Sequence, residues 1–111
     1  MEVIAKSKER NLILELKGEL DHHGARQAML DIEREMDAAL PLKLTLNFSK
    51  VSFMDSSGIG VVIGRYKLVK SCGGNVAIIT DNAGVNKLLA MSGIPRIINV
   101  YSSLLEVPDS M

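Results

Sequence analysis

The sequence predicts an α/β fold: a mixed, mostly parallel sheet of about five strands, with helices mainly on one face. Three observations carry this expectation. From residue 11 onward, short apolar segments alternate with segments of helical period, which calls for right-handed parallel crossovers. Two of the strand segments alternate apolar with polar residues, so the face away from the helices is expected to be largely wet. The 111 residues, 47% of them hydrophobic, suffice for one core and not two, so a single domain spans 1–111.

The elements follow in order. Residues 2–6 and 11–17 read as strands joined by Ser7-Lys8-Glu9-Arg10, a connection short enough to imply antiparallel pairing. In the second, Leu12, Leu14 and Leu16 share one face while Glu15 and Lys17 point away. A helix over about 24–39 repeats Ala25, Ala28, Met29, Ile32 and Met36 at the 3.6 period, with Asp31, Glu33, Arg34 and Asp37 outside. Pro41 prevents its continuation. The strand 42–48 sets Leu42, Leu44, Leu46 and Phe48 against Lys43, Thr45 and Asn47. A second helix runs from about 56 to 71 and ends at Gly73-Gly74. Val76-Ala77-Ile78-Ile79 reads as a buried strand. Asp81 or Asn82 caps a third helix that uses Val85, Leu88 and Leu89 and closes at Gly93. Ile97, Ile98 and Val100 make a last short strand, followed by a helical turn near 102–106.

Composition narrows the function classes. The 13 basic and 13 acidic residues cancel, which argues against a nucleic-acid or membrane-surface partner held by bulk charge. There is no Trp and aromatics are few, so stacking platforms for single strands are not expected. The lone Cys72 excludes a disulfide framework and a thiolate zinc site. No apolar run reaches the roughly 18 residues of a membrane span. Met1-Glu2-Val3-Ile4 lacks the basic and apolar regions of a signal peptide, and a cytoplasmic setting fits these features.

The informative stretch is Ser52-Phe53-Met54-Asp55-Ser56-Ser57-Gly58-Ile59-Gly60, which follows a strand and opens a helix. Asp55 and Ser56 are natural N-caps, and capping is their plain structural role. The helix carries no charge from Ser56 to Gly64. Ile59, Val62, Ile63 and Tyr66 form one stripe. Ser57, Gly60, Val61, Gly64 and Leu68 form a second on roughly the opposite side. A helix apolar on both sides must be covered on both, by neighbouring helices or by another protein. Each glycine inside a helix costs on the order of 1 kcal/mol relative to Ala, so close approach of something at Gly58, Gly60 and Gly64 is the simplest compensation. Met54, beside the serines, is the methionine expected at an interface.

Together with Gly18-Glu19-Leu20-Asp21-His22-His23, Gly64-Arg65-Tyr66-Lys67 and Met91-Ser92-Gly93-Ile94, this stretch resembles the STAS-domain anti-anti-sigma factors, and among them those of sporulation. The likeness covers essentially the whole chain. It implies a partner-switching protein that docks, unphosphorylated, on an anti-sigma factor and so frees a sigma factor for transcription. The resemblance further implies that the anti-sigma factor is an ATP-dependent serine kinase, that it phosphorylates Ser56, and that a PP2C-type phosphatase reverses this. Asp21, Met54, Asp55, Ser57, Gly58, Ile59 and Gly60 are the expected partner-binding residues. A STAS scaffold or sensor module in another signalling system is the alternative.

Other chemistries fit poorly. Met54-Asp55-Ser56-Ser57-Gly58 lacks the first glycine of a G-x-S-x-G elbow, and His22 and His23 are the only imidazoles, so no catalytic residues are expected. Asp21-His22-His23 reads as a capped helix start more readily than as a metal site, because adjacent histidines need further ligands to converge on one ion. Gly58, Gly60 and Gly64 follow a G-x-G-x-x-x-G spacing inside a helix with no phosphate-binding Lys, so no cofactor is expected.

Overall fold

The computed structural model describes residues 1–38 and 41–108. Five strands, β1 (Glu2–Lys8), β2 (Asn11–Leu20), β3 (Lys43–Met54), β4 (Asn75–Ile79) and β5 (Asn99–Tyr101), form one sheet in sequential order. β1 pairs antiparallel with β2, and the remaining pairs are parallel. Helices α1 (His22–Ala38), α2 (Ser56–Ser71) and α3 (Ala83–Met91) fill the crossovers. When every right-handed crossover steps the sheet in the same direction, every helix lands on the same face.

The core confirms that placement. Leu12, Leu14 and Leu16 of β2, Leu44, Leu46 and Phe48 of β3, and Val76 and Ile78 of β4 belong to one buried cluster. Ala28 and Ile32 of α1, Ile59, Val62 and Val69 of α2, and Val85 and Leu89 of α3 close it from the helical side. The expected alternation of β2 and β3 is therefore the inward face of the sheet. The expected end of the first helix, at 39, lies outside the described residues.

The opposite face is wet only in part. Ile4, Lys6 and Lys17 are exposed, and Lys50 pairs with Glu15 at 3.0 Å. Thr45, Ala77 and Ile79 are buried, although α1, α2 and α3 pack on the other face. The segment after β5 supplies part of the cover: Leu104 and Val107 line a cleft with Ile13 and Thr45, and Lys43 Nζ donates to the Pro108 carbonyl at 2.7 Å. The polar residue Thr45 is thus buried in the central strand, where side-chain alternation had suggested solvent.

β1 and β2 run on to Lys8 and Leu20, past the expected ends at 6 and 17, and two later boundaries also differ from the sequence expectation. β3 runs to Met54 rather than stopping at Phe48, because backbone pairing with β2 continues across an irregular register. Ile97 and Ile98 precede β5 instead of starting it. A 3₁₀ turn at Ile94–Arg96, with Pro95 in its first positions, holds them, and both their N–H groups bond to the Ile94 carbonyl. Asn82, not Asp81, caps α3, its side chain accepting from the Val85 N–H at 3.0 Å.

Candidate functional site

The carboxyl ends of β2 and β3 lie side by side, with Leu20 and Met54 paired in register. Each strand passes directly through an aspartate into a helix. Asp21 Oδ1 accepts the Gly24 N–H at 2.7 Å, and Asp55 Oδ1 accepts the Ser57 N–H at 2.8 Å. Two helix N-termini therefore open at the same edge of the sheet, each with a carboxylate satisfying one of its free donors. The plain capping role of both aspartates is real.

Local packing fixes the geometry. A Cβ on Gly24 would stand 2.1 Å from the Glu19 carbonyl oxygen, so only glycine lets α1 turn so closely over the end of β2. A Cβ on Gly58 would meet Met54 Cγ at 2.5 Å and Leu20 Cδ2 at 3.1 Å. Close approach at Gly58 is thus internal. Gly60 and Gly64 differ: a Cβ at either would meet nothing within 4 Å.

The expected partner residues separate into two groups. Met54, Gly58 and Ile59 are buried. Met54 packs beneath the first turn of α2, where Gly58 makes room for it, and Ile59 joins the core. Asp21, Asp55 and Ser57 are half-buried, and Ser56 and Gly60 are exposed. The Ser56 hydroxyl has no hydrogen-bond partner among the described residues. Val61, read on the second apolar stripe, is 5% exposed because α1 packs beside it. That stripe is covered by a neighbouring helix at Val61 and left open at Gly60.

Between α1 and α2 runs an open groove of about 800 Å³. Ser57, Gly60 and Val61 form its α2 side. Its α1 side was not singled out from sequence, although Leu30, at 68% exposure, is an apolar residue on the outward part of an amphipathic helix. Phe53, next to Met54 at the end of β3, is half exposed. His22 and His23 are both exposed, and no group of three potential metal ligands forms among the described residues.

The STAS domain model matches residues 2–107. The chain belongs to the STAS-domain family. The anti-sigma F factor antagonist of Paenibacillus polymyxa is 38% identical over 92 residues, covering 83% of this chain and 79% of that protein. A phosphorylated form of the Bacillus cell fate determinant SpoIIAA superposes with a TM-score of 0.69 at 26% identity, covering 92% of this chain and 93% of that one. A Thermotoga maritima structure, described as a candidate anti-sigma factor antagonist, reaches a TM-score of 0.85 at 26% identity, covering 94% and 89%. The five-stranded mixed sheet with three helices is the STAS fold, and among the described residues no helix is long and apolar enough to cross a membrane.

Proposed function

We propose that this STAS domain is an anti-sigma factor antagonist switched by phosphorylation at Ser56. Unphosphorylated, it binds an anti-sigma factor that is also a serine kinase, and so frees a sigma factor in the cytoplasm. Phosphorylated, it lets go, and a PP2C-type phosphatase restores it. The observation that carries this reading is the exposed, unpartnered Ser56 hydroxyl at the first position of α2, beside the capping Asp55. The names of the relatives support the partner class.

The physics suits such a switch. A phosphate adds about −1.5 to −2 charges and three acceptor oxygens. At a helix N-terminus the dipole and free N–H groups tolerate it, so the fold need not change. In a closed interface it would have to be desolvated near Asp55 and Asp21. Each roughly 1.4 kcal/mol of that cost lowers affinity tenfold. Because Asp55, and not Ser56, caps the helix, the hydroxyl is available for transfer without loss of the cap.

The test is incubation with ATP and an anti-sigma F factor, followed by peptide mass spectrometry and a binding assay. Phosphate on Ser56 together with loss of the complex is the expected result. Phosphate on Ser57 alone would overturn the site. No complex and no transfer would leave a STAS scaffold or sensor module as the better reading.

A further inference from the structure

We infer that the groove between α1 and α2 is a docking slot for an acidic, partly apolar segment of the anti-sigma partner, with Arg26 as its anchoring cation. The inference rests on the proposed function and adds the half of the interface that α1 supplies. Three observations carry it.

The first is composition. Ala25, Met29, Leu30 and Val61 give the groove an apolar lining, with Leu30 still 68% exposed in the free protein. An apolar concavity with a few polar groups is the usual form of a specific contact site.

The second is charge. Arg26 lies on the rim with His22 and His23, and no carboxylate lines the groove. Arg26 makes no ion pair with a described residue, whereas Arg34, two turns further along α1, is held by Asp31 at 3.4 Å. The acidic groups nearest in sequence are engaged elsewhere: Asp21 caps α1 through the Gly24 N–H, and Asp31 pairs with Arg34. A guanidinium left without a carboxylate beside an apolar slot is complementary to an acidic side chain on an apolar segment.

The third is position. Gly60 and Ser57 line the groove, and Ser56 is one turn before Gly60 on the same side of α2. A phosphate on Ser56 would therefore stand at the mouth of the slot. There it would repel an incoming carboxylate and compete with it for Arg26. The docking slot and the switch are one device in this arrangement.

Isothermal titration with the anti-sigma F factor that the Paenibacillus polymyxa relative is named as antagonising provides the test. Arg26 and Leu30 are exposed, so Arg26→Glu and Leu30→Ser should leave the thermal midpoint unchanged. Each should weaken binding at least about tenfold. Arg34→Glu makes the same charge change on α1 outside the groove and should weaken it far less. Wild-type binding with all three variants unaffected overturns the slot while sparing the proposed function. Equal losses for Arg26→Glu and Arg34→Glu also overturn it, because a general field would then be responsible. Absence of wild-type binding overturns the proposed function and the slot together.

Discussion

The backbone N–H of Asp55 meets the carbonyl oxygen of Leu20 at 3.4 Å, joining the last residue of β2 to the cap of α2. Leu20 in turn precedes Asp21, the cap of α1, and pairs in register with Met54. The starts of the two helices are thus tied through the strands beneath them, so the N-terminus of α2 and the first turn of α1 are presented as one rigid surface. On the proposed function, a partner that contacts Ser56 should also contact Asp21 and the groove beside it.

Removing either cap should therefore cost stability as well as geometry. Asp55→Ala leaves the Ser57 N–H without its acceptor and should destabilise the domain by about 1 kcal/mol, while Asp55→Asn should cost a few tenths. Asp21→Ala should behave like Asp55→Ala, because the Gly24 N–H is bonded in the same way. Urea unfolding of the three variants measures this. Equal midpoints for Asp55→Ala and the parent would show that the cap bond does not contribute.

The glycines give a sharper contrast. Gly24→Ala would drive a Cβ into a backbone carbonyl that cannot swing aside, and the cost should be about 3 kcal/mol or more, as for severe overpacking. Gly60→Ala meets open space and should stabilise α2 by up to about 1 kcal/mol through helix propensity. Gly58→Ala should fall between, because the atoms it meets belong to the Met54 and Leu20 side chains, which can shift, and not to the backbone. Thermal denaturation of the three proteins should rank them in that order, and any other ranking contradicts the packing described.

Much of this was legible in the sequence. The alternation of Leu12, Leu14 and Leu16 against Leu44, Leu46 and Phe48 marked the inward face, and the run from Asp55 to Gly73-Gly74 marked both ends of α2. What escaped has physical causes. Polar Ser49 and Lys50 hid the continuation of β3, whose backbone pairing does not depend on side-chain polarity. Thr45 looked solvent-facing because periodicity reports which side a residue points to and not what covers that side. The burial of Met54 and Ile59 escaped because neither motif nor spacing reveals that the first turn of α2 settles over Met54 and turns its own Ile59 into the core. The α1 half of the groove escaped because Arg26 and Leu30 are ordinary on an exposed helix face and gain meaning only when α2 lies alongside.

Ser56→Ala should fold as the parent does. The side chain is exposed, caps nothing and has no partner, so its removal should change stability by no more than about 0.5 kcal/mol. The variant should hold the anti-sigma partner in the presence of ATP, where the parent should be phosphorylated and released. Ser57→Ala should still be phosphorylated at Ser56. Native mass spectrometry of the complexes over time distinguishes these outcomes, and release of Ser56→Ala with the parent's kinetics would separate the switch from this residue.

Gly60→Glu tests whether the open side of α2 faces a partner. On sequence alone this substitution was ambiguous, because Gly60 could have been needed for packing inside the domain. The structure removes that reading: a Cβ at Gly60 meets nothing within 4 Å, and the residue is exposed. Overpacking, which costs about 1–3 kcal/mol where it occurs, should not arise. Replacing glycine by a better helix former should offset any repulsion from Asp55, five residues before it. The unfolding midpoint should therefore be held or raised, while the new carboxylate occupies the groove mouth and excludes an acidic partner segment. Binding should fall at least about tenfold. Unchanged binding with unchanged stability would remove this side of α2 from the interface. A lowered midpoint would mean that Gly60 is less open in solution than its surroundings in the structure indicate. Only lost binding with retained stability supports the surface, so the two measurements must be made on the same protein.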